Sequence, residues 1–114
     1  GIDQVEYLTS DNLWDLTVQP ENLVVLGGGP IGTELSQAFT RLGTKVTQVE
    51  AFDRILGRED PEISKMMMDK LTGEGVQLRV NTKATAVEVE GDHQYLVVDS
   101  NGQHCWLQSG ARPM

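Results

Sequence analysis

Asn22-Leu23-Val24-Val25-Leu26-Gly27-Gly28-Gly29-Pro30-Ile31-Gly32-Thr33-Glu34-Leu35 is the stretch that decides how this chain folds. Residues 22–26 form a short apolar run bounded by turn formers, the pattern of a strand buried on both faces in a parallel sheet. Gly27, Gly29 and Gly32 then fit G-x-G-x-x-G. Each glycine meets a different physical need, since Gly27 allows a tight turn, Gly29 leaves room for a pyrophosphate, and Gly32 lets the next helix approach the strand. Pro30 suits the first turn of a helix, where its missing N–H costs nothing, and Ile31, Leu35, Ala38, Phe39 and Leu42 recur at helical spacing as the expected packing face. Gly43 is placed to end that helix, and a second strand follows over residues 45–49.

Glu50 closes this second strand eighteen positions after Gly32, near the spacing of about 20 residues at which a carboxylate meets an adenosine ribose. The helix start would point unpaired N–H groups and a positive dipole end at the phosphates. Glycine turns of this kind also occur without a ligand, and Glu50 could be an ordinary solvated charge. Strand, glycines, helix, strand and acid in that order favour dinucleotide binding. A carboxylate repels a 2′-phosphate, so Glu50 favours NAD(H) over NADP(H), against which stand Arg54 and Arg58 in the loop that follows.

Outward from this core, residues 10–16 read as a short helical turn capped by Ser10, broken at Gln19-Pro20. Asp60, Pro61 and Glu62 read as N-cap, first helical residue and first-turn acid of a second helix. Ile63, Met66, Met67 and Leu71 form its expected apolar stripe, so the methionines are taken as packing. Residues 76–80 read as a third strand. Residues 84–89 and 95–98, joined at Gly91-Asp92 and followed by an Asn101-Gly102 turn, read as antiparallel strands. The expected fold is α/β, a Rossmann-like parallel sheet with flanking helices and an antiparallel β-meander.

With 114 residues the chain is long enough for one domain. Nine Lys plus Arg against seventeen Asp plus Glu leave a net charge of -8, which disfavours a nucleic-acid partner. The longest apolar run, residues 23–26, is far short of the roughly 20 residues of a membrane span, and no secretory signal is visible. The single Cys105 excludes an internal disulfide and fits a reducing, cytoplasmic setting.

The motifs at residues 8–13, 23–35, 46–50, 55–56 and 60–63 resemble the NAD-binding domain of the pyridine nucleotide-disulfide oxidoreductases over roughly residues 8–90. The resemblance implies that residues 1–20 are a connector from an absent flavin domain and residues 21–114 an NAD(H)-binding domain shortened at its C-terminal part. It implies a nicotinamide presented for hydride transfer to or from FAD held elsewhere in a longer enzyme. It places Gly27, Gly28, Gly29, Pro30, Ile31 and Gly32 on the pyrophosphate, Ile31 and Glu34 towards the nicotinamide, and Glu50 on the adenosine ribose. Ala84 matches a position flanking the adenine, and reads equally well as a plain strand residue. Glu34 likewise reads as a helix-surface charge.

The chain also departs from that family. It has one glycine fingerprint and one Cys, so neither a flavin site nor a redox cysteine pair is present, and no metal site is expected. Cys105 reads as a small buried strand residue; His93 and His104 match no catalytic position. Residues 109–113 resemble the family's domain end, but the seven residues between Gly102 and Gly110 are too few for a third meander strand and a last parallel strand. One strand is expected to be lost. The chain alone is expected to bind without turnover, to need FAD and interface domains as partners, and to self-associate through exposed surfaces. Two alternatives stand: a nucleotide-sensing regulatory Rossmann domain without catalysis, and a glycine loop that holds FAD itself.

Overall fold

A computed structural model describes residues 21–90, 93–100 and 102–109. Five strand residues, β1 (Asn22–Leu26), lead through the glycine turn into α1 (Pro30–Arg41), which returns to β2 (Lys45–Val49). β1 and β2 pair in parallel from Asn22↔Lys45 to Leu26↔Val49. After a loop, α2 (Pro61–Glu74) leads to the short β3 (Gln77–Arg79), parallel to β2. The sheet order is therefore β1-β2-β3. A second sheet is an antiparallel meander of β4 (Thr82–Glu90), β5 (His93–Ser100) and β6 (Gln103–Ser109). The α/β fold, with flanking helices and a meander, is the one the sequence predicts.

Strand alternation distributes the side chains between two cores. On the helix side, Val46, Ile55, Leu71 and Val76 are buried, and Leu23, Val25, Phe39, Met67 and Met68 pack against them. On the meander side, Val49, Leu96 and Val98 are buried against Val24, Val87 and Cys105. The parallel sheet thus lies between the helices and the meander. Cys105 is half-buried in this second core and free.

Both helices sit rotated from the faces their apolar spacing predicts. In α1 the buried residues are Thr33 and Ser36, whereas Ile31 and Leu42 are each 64% exposed and Ala38 faces solvent. The reason is Gly32: a Cβ there would lie 2.6 Å from the Gly27 carbonyl oxygen, so helix and loop touch backbone to backbone and only small side chains fit beside the contact. Ser36 satisfies its hydroxyl by donating to Gly32 O at 2.8 Å. In α2 the inward stripe is Ser64, Met67, Met68 and Leu71; Ile63 and Met66 are exposed. Ser64 is drawn in because its hydroxyl donates to the buried Ile55 carbonyl at 2.5 Å.

The helix termini follow the sequence closely. The Asp60 carboxylate accepts the Glu62 N–H at 2.9 Å, Pro61 begins α2, and Gly75 ends it with φ +109. At the far end of the sheet from the glycine turn, the Arg41 guanidinium donates to both Glu74 oxygens, at 2.6 and 3.3 Å, and ties α1 to α2. Hydrogen bonds from Arg41 and then Gln37 hold the Glu74 carboxyl below its usual range.

The interval after Gly102 holds one of the two strands weighed for it. The third meander strand is present: β6 fills the interval after Gly102 and pairs along β5 from Ser100↔Gln103 to Gln94↔Ser109, and among the described residues no last parallel strand joins β1, β2 and β3. Gly102 has φ +83 and donates its N–H to Asp99 Oδ1 at 2.9 Å, as a tight hairpin requires. The predicted helical turn at residues 10–16, the 1–20 connector, the Gly91-Asp92 turn and residues 110–113 lie outside the described residues.

Candidate functional site

The site forms where β1 and β2 end together, at the start of α1. Gly27 takes φ +107, a conformation that costs glycine little and other residues much, and donates its N–H to Val49 O at 2.8 Å. Gly29 is the N-cap of α1 with extended backbone, and a Cβ added there would meet nothing within 4 Å. The three motif glycines therefore hold the turn, the open approach and the close helix contact that the sequence assigned to them.

The two helix N-termini differ in a way that bears on ligand binding. Asp60 and Glu62 satisfy and neutralise the start of α2. The start of α1 has no side-chain cap and no acid in its first turn, so its N–H groups and positive dipole end are left for an outside acceptor.

Glu50 is built into the same corner. Its Oε1 accepts the Gly28 N–H at 2.7 Å and its Oε2 accepts the Phe52 N–H at 2.9 Å. A carboxylate offers about four lone-pair directions, so two remain for ribose hydroxyls. The backbone around it is fastened as well: Glu50 N–H donates to Arg79 O, its carbonyl accepts the Thr82 N–H, and Asn81 N–H donates to Phe52 O. Asn81 and Leu56 adopt positive φ without being glycine, at 51° and 52°, a sign that surrounding contacts hold these two loops firmly. Leu56 N–H donates to Gly28 O at 2.6 Å.

Gly28, Gly29, Glu50, Phe52, Asp53, Arg54, Gly57 and Arg58 line a cleft of about 570 Å³, within the range of small-molecule sites. Of the residues the sequence singled out, the cleft unites Gly28, Gly29 and Glu50, together with both loop arginines. Gly27 and Gly32 shape it from behind. Pro30, Ile31 and Glu34 lie on the exposed first turns of α1, and Ala84 is exposed on β4 opposite Val98 and is not among the residues lining the cleft. Arg54 donates to Gly57 O at 3.0 Å and so closes its own loop. Among the described residues no group of three or more His, Cys, Asp or Glu side chains could hold a metal. None of the helices among the described residues is long and apolar enough to cross a membrane.

Three participants were not singled out for the parts they take. Gly28 is the middle residue of the glycine run, yet a Cβ on it would lie 2.9 Å from Ile55 Cγ2 and 3.0 Å from Glu50 Oε1. Phe52 is 75% exposed on the cleft rim. Gln48 is wholly buried beneath the loop, a polar residue in a strand whose neighbours Val46 and Val49 are core. Its place two residues before Glu50 is the one sequence signal that could have found it.

Fold and corner together define a Rossmann-like α/β unit of the flavoprotein reductase type. The family model for pyridine nucleotide-disulphide oxidoreductases matches residues 1–109, and the chain belongs to that family. It is 41% identical over 103 residues to a mercuric reductase of Bacillus cereus, covering 90% of this chain and 16% of that protein. A dihydrolipoyl dehydrogenase of Chlamydia muridarum is 34% identical over 94 residues, covering 82% of this chain and 20% of that one. The chain thus spans a fifth or less of the curated relatives it matches. Among solved structures, a ferredoxin reductase from Rhodopseudomonas palustris superposes with TM-score 0.71 at 29% identity, over 88% of this chain and 24% of that one. An NADH-bound, water-forming NADH oxidase from Lactobacillus brevis shares the fold, with TM-score 0.73 at 22% identity, over 81% of this chain and 20% of that one.

Proposed function

We propose that this chain is the NAD(H)-binding domain of a flavin-dependent pyridine nucleotide-disulfide oxidoreductase of the cytoplasm. In that reading it presents the nicotinamide for hydride transfer to or from FAD held elsewhere in a longer protein. The observation that carries the proposal is the corner itself: an uncapped helix start, open space at Gly29, and Glu50 fixed beside both. The pyrophosphate would lie over Gly29 against the first turn of α1, where the N–H groups and dipole oppose its charge. Glu50 would accept the adenosine 2′- and 3′-hydroxyls with its remaining lone pairs and would repel a 2′-phosphate, which favours NAD(H) over NADP(H). The cleft beyond it suits the adenosine.

The bound dinucleotide supplies the hydride chemistry; the chain's own part is to hold and aim it. Exposed Leu26 and Ile31, at the strand ends and helix start on the nucleotide side, are where an adjoining FAD domain would cover apolar surface. The spans of the relatives support further domains as partners. Without them, the same surface favours self-association, and a strictly monomeric chain at high concentration in light scattering would count against that.

Calorimetric titration with NADH of the chain and of a Gly29→Asp variant tests the site. Since nothing lies within 4 Å of a Cβ added at Gly29, the variant should fold and lose affinity at least about tenfold through charge repulsion. Full affinity in the folded variant would remove the pyrophosphate from Gly29. Uptake of FAD in preference to NADH by the unaltered chain would assign the loop to the flavin instead.

A further inference from the structure

Gln48 lies under the glycine loop with no exposed surface. Its Nε2 donates to Gly27 O at 3.1 Å and to Thr33 Oγ1 at 3.2 Å. A carbonyl can only accept, so the amide nitrogen must be the atom facing Gly27, and the orientation of the side chain is fixed. Among the described residues its Oε1 accepts no hydrogen bond. A buried amide left half-satisfied is disfavoured beside an apolar residue of the same size, so packing alone does not account for a glutamine here.

The Gly27–Gly28 peptide is held from both of its polar ends. Its C=O accepts from Gln48, and its N–H donates to Glu50 Oε1 at 2.7 Å. Gln48 lies in β2 and Glu50 directly follows its last residue, Val49, so the two stand two positions apart in the chain and both reach the loop. Glycine is free to turn this peptide in either direction, and a turned peptide would point a carbonyl oxygen into the space where an anion is to sit.

We infer that Gln48 is a positioning residue of the dinucleotide site, clamping the Gly27–Gly28 peptide so that the loop keeps its anion-accepting form. Gln48 touches no ligand itself; it acts through Gly27 O and, through Thr33, on the first turn of α1. The inference rests on the NAD(H) reading for its ligand and on the loop geometry for its cause.

Both parts are tested on the 114-residue chain and a near-isosteric Gln48→Met variant, with Val76→Ala as a core control remote from the loop. In the ligand-free proteins, the Gly28 amide of Gln48→Met should exchange with solvent about five to ten times faster than in the parent chain, relative to amides of β1 and β2. Affinity for NADH should fall by a similar factor in Gln48→Met. In Val76→Ala the melting temperature falls while affinity stays within about twofold. A parent chain that binds NADH beside a Gln48→Met variant with equal affinity and equal Gly28 exchange overturns the clamp and leaves the NAD(H) reading standing. A parent chain that binds no NADH overturns that reading, and Gly28 exchange then decides the clamp by itself. Independently of any variant, the two Gln48 side-chain amide protons of the parent chain should exchange slowly and shift on addition of NADH. Exchange at the rate of a free glutamine amide would refute the clamp.

Discussion

Gly28→Ala separates the structural glycine of the loop from the ligand-facing one. Gly28 is buried and its φ is not positive, so alanine is permitted by the backbone; what opposes it is space. The added Cβ would lie 2.9 Å from Ile55 Cγ2 and 3.0 Å from both Ile55 Cα and Glu50 Oε1. Ile55 is a fully buried core residue whose carbonyl is held by Ser64, so it cannot swing aside cheaply. Overpacking of this kind costs about 1–3 kcal/mol. Displacing the Glu50 carboxylate weakens a charge-assisted bond worth about 1.5–3 kcal/mol when lost outright. Reduced freedom of the unfolded chain offsets about 0.4–1 kcal/mol. The expected net loss is about 2 kcal/mol, a fall in melting temperature of about 8–16 °C for a domain of this size, read by circular dichroism. The adjacent Gly29→Ala, with nothing within 4 Å of its Cβ, should melt within a few degrees of the parent. Equal melting temperatures for the two variants would refute the packing described around Gly28.

Other outcomes follow from single contacts. Ser64→Ala leaves the buried Ile55 carbonyl without its donor and should destabilise the fold by about 1–3 kcal/mol in chemical denaturation, with NADH affinity in the folded protein falling less than the stability does. Gly75→Ala forces a side chain to φ +109 at the end of α2 and should cost at least about 1 kcal/mol, whereas Gly57→Ala, which meets no contact and has no such φ, should not. The Glu74 carboxyl is lowered by Arg41, so its contribution is present above the ordinary carboxylate range and lost as pH falls through it. Arg41→Ala should accordingly lower the melting temperature slightly at pH 7, by an amount that shrinks as pH falls below the ordinary carboxylate range; because the pair lies at the surface, a large effect at pH 7 would contradict the structure.

What the sequence made legible was the backbone logic. Pro30 after the glycines, Asp60-Pro61-Glu62 and Gly102 announce their structures because caps and turns are local: the residue that causes the feature stands within a few positions of it. The helix faces were not legible in the same way. Apolar spacing named Phe39 in α1 and Met67 and Leu71 in α2, which do pack in the helix-side core, but also Ile31, Ala38 and Leu42 and Ile63 and Met66, which are exposed; beside the close backbone contact at Gly32 the buried residues are Thr33 and Ser36, and the Ile55 carbonyl draws Ser64 inward. Both are tertiary demands met by small polar residues, which a hydrophobic period cannot register. The site divides along the same line. Gly27, Gly29, Gly32 and Glu50 carry a recognisable spacing, while Gly28 and Phe52 acquire their parts only when the 50–58 loop folds back over the glycines, and Gln48 only when β2 runs beneath Gly27 and Thr33.

Calorimetric titration of the chain with NADH and NADPH in parallel, repeated on Glu50→Ala, addresses the dinucleotide site most directly. Glu50 lines the cleft and anchors Gly28; its removal should erase the discrimination between the two cofactors and also weaken NADH itself. NADH should bind the unaltered chain, NADPH should bind it at least about tenfold more weakly, and the difference should vanish in Glu50→Ala. A folded chain that binds neither cofactor, or that prefers NADPH with Glu50 in place, would contradict the NAD(H) assignment.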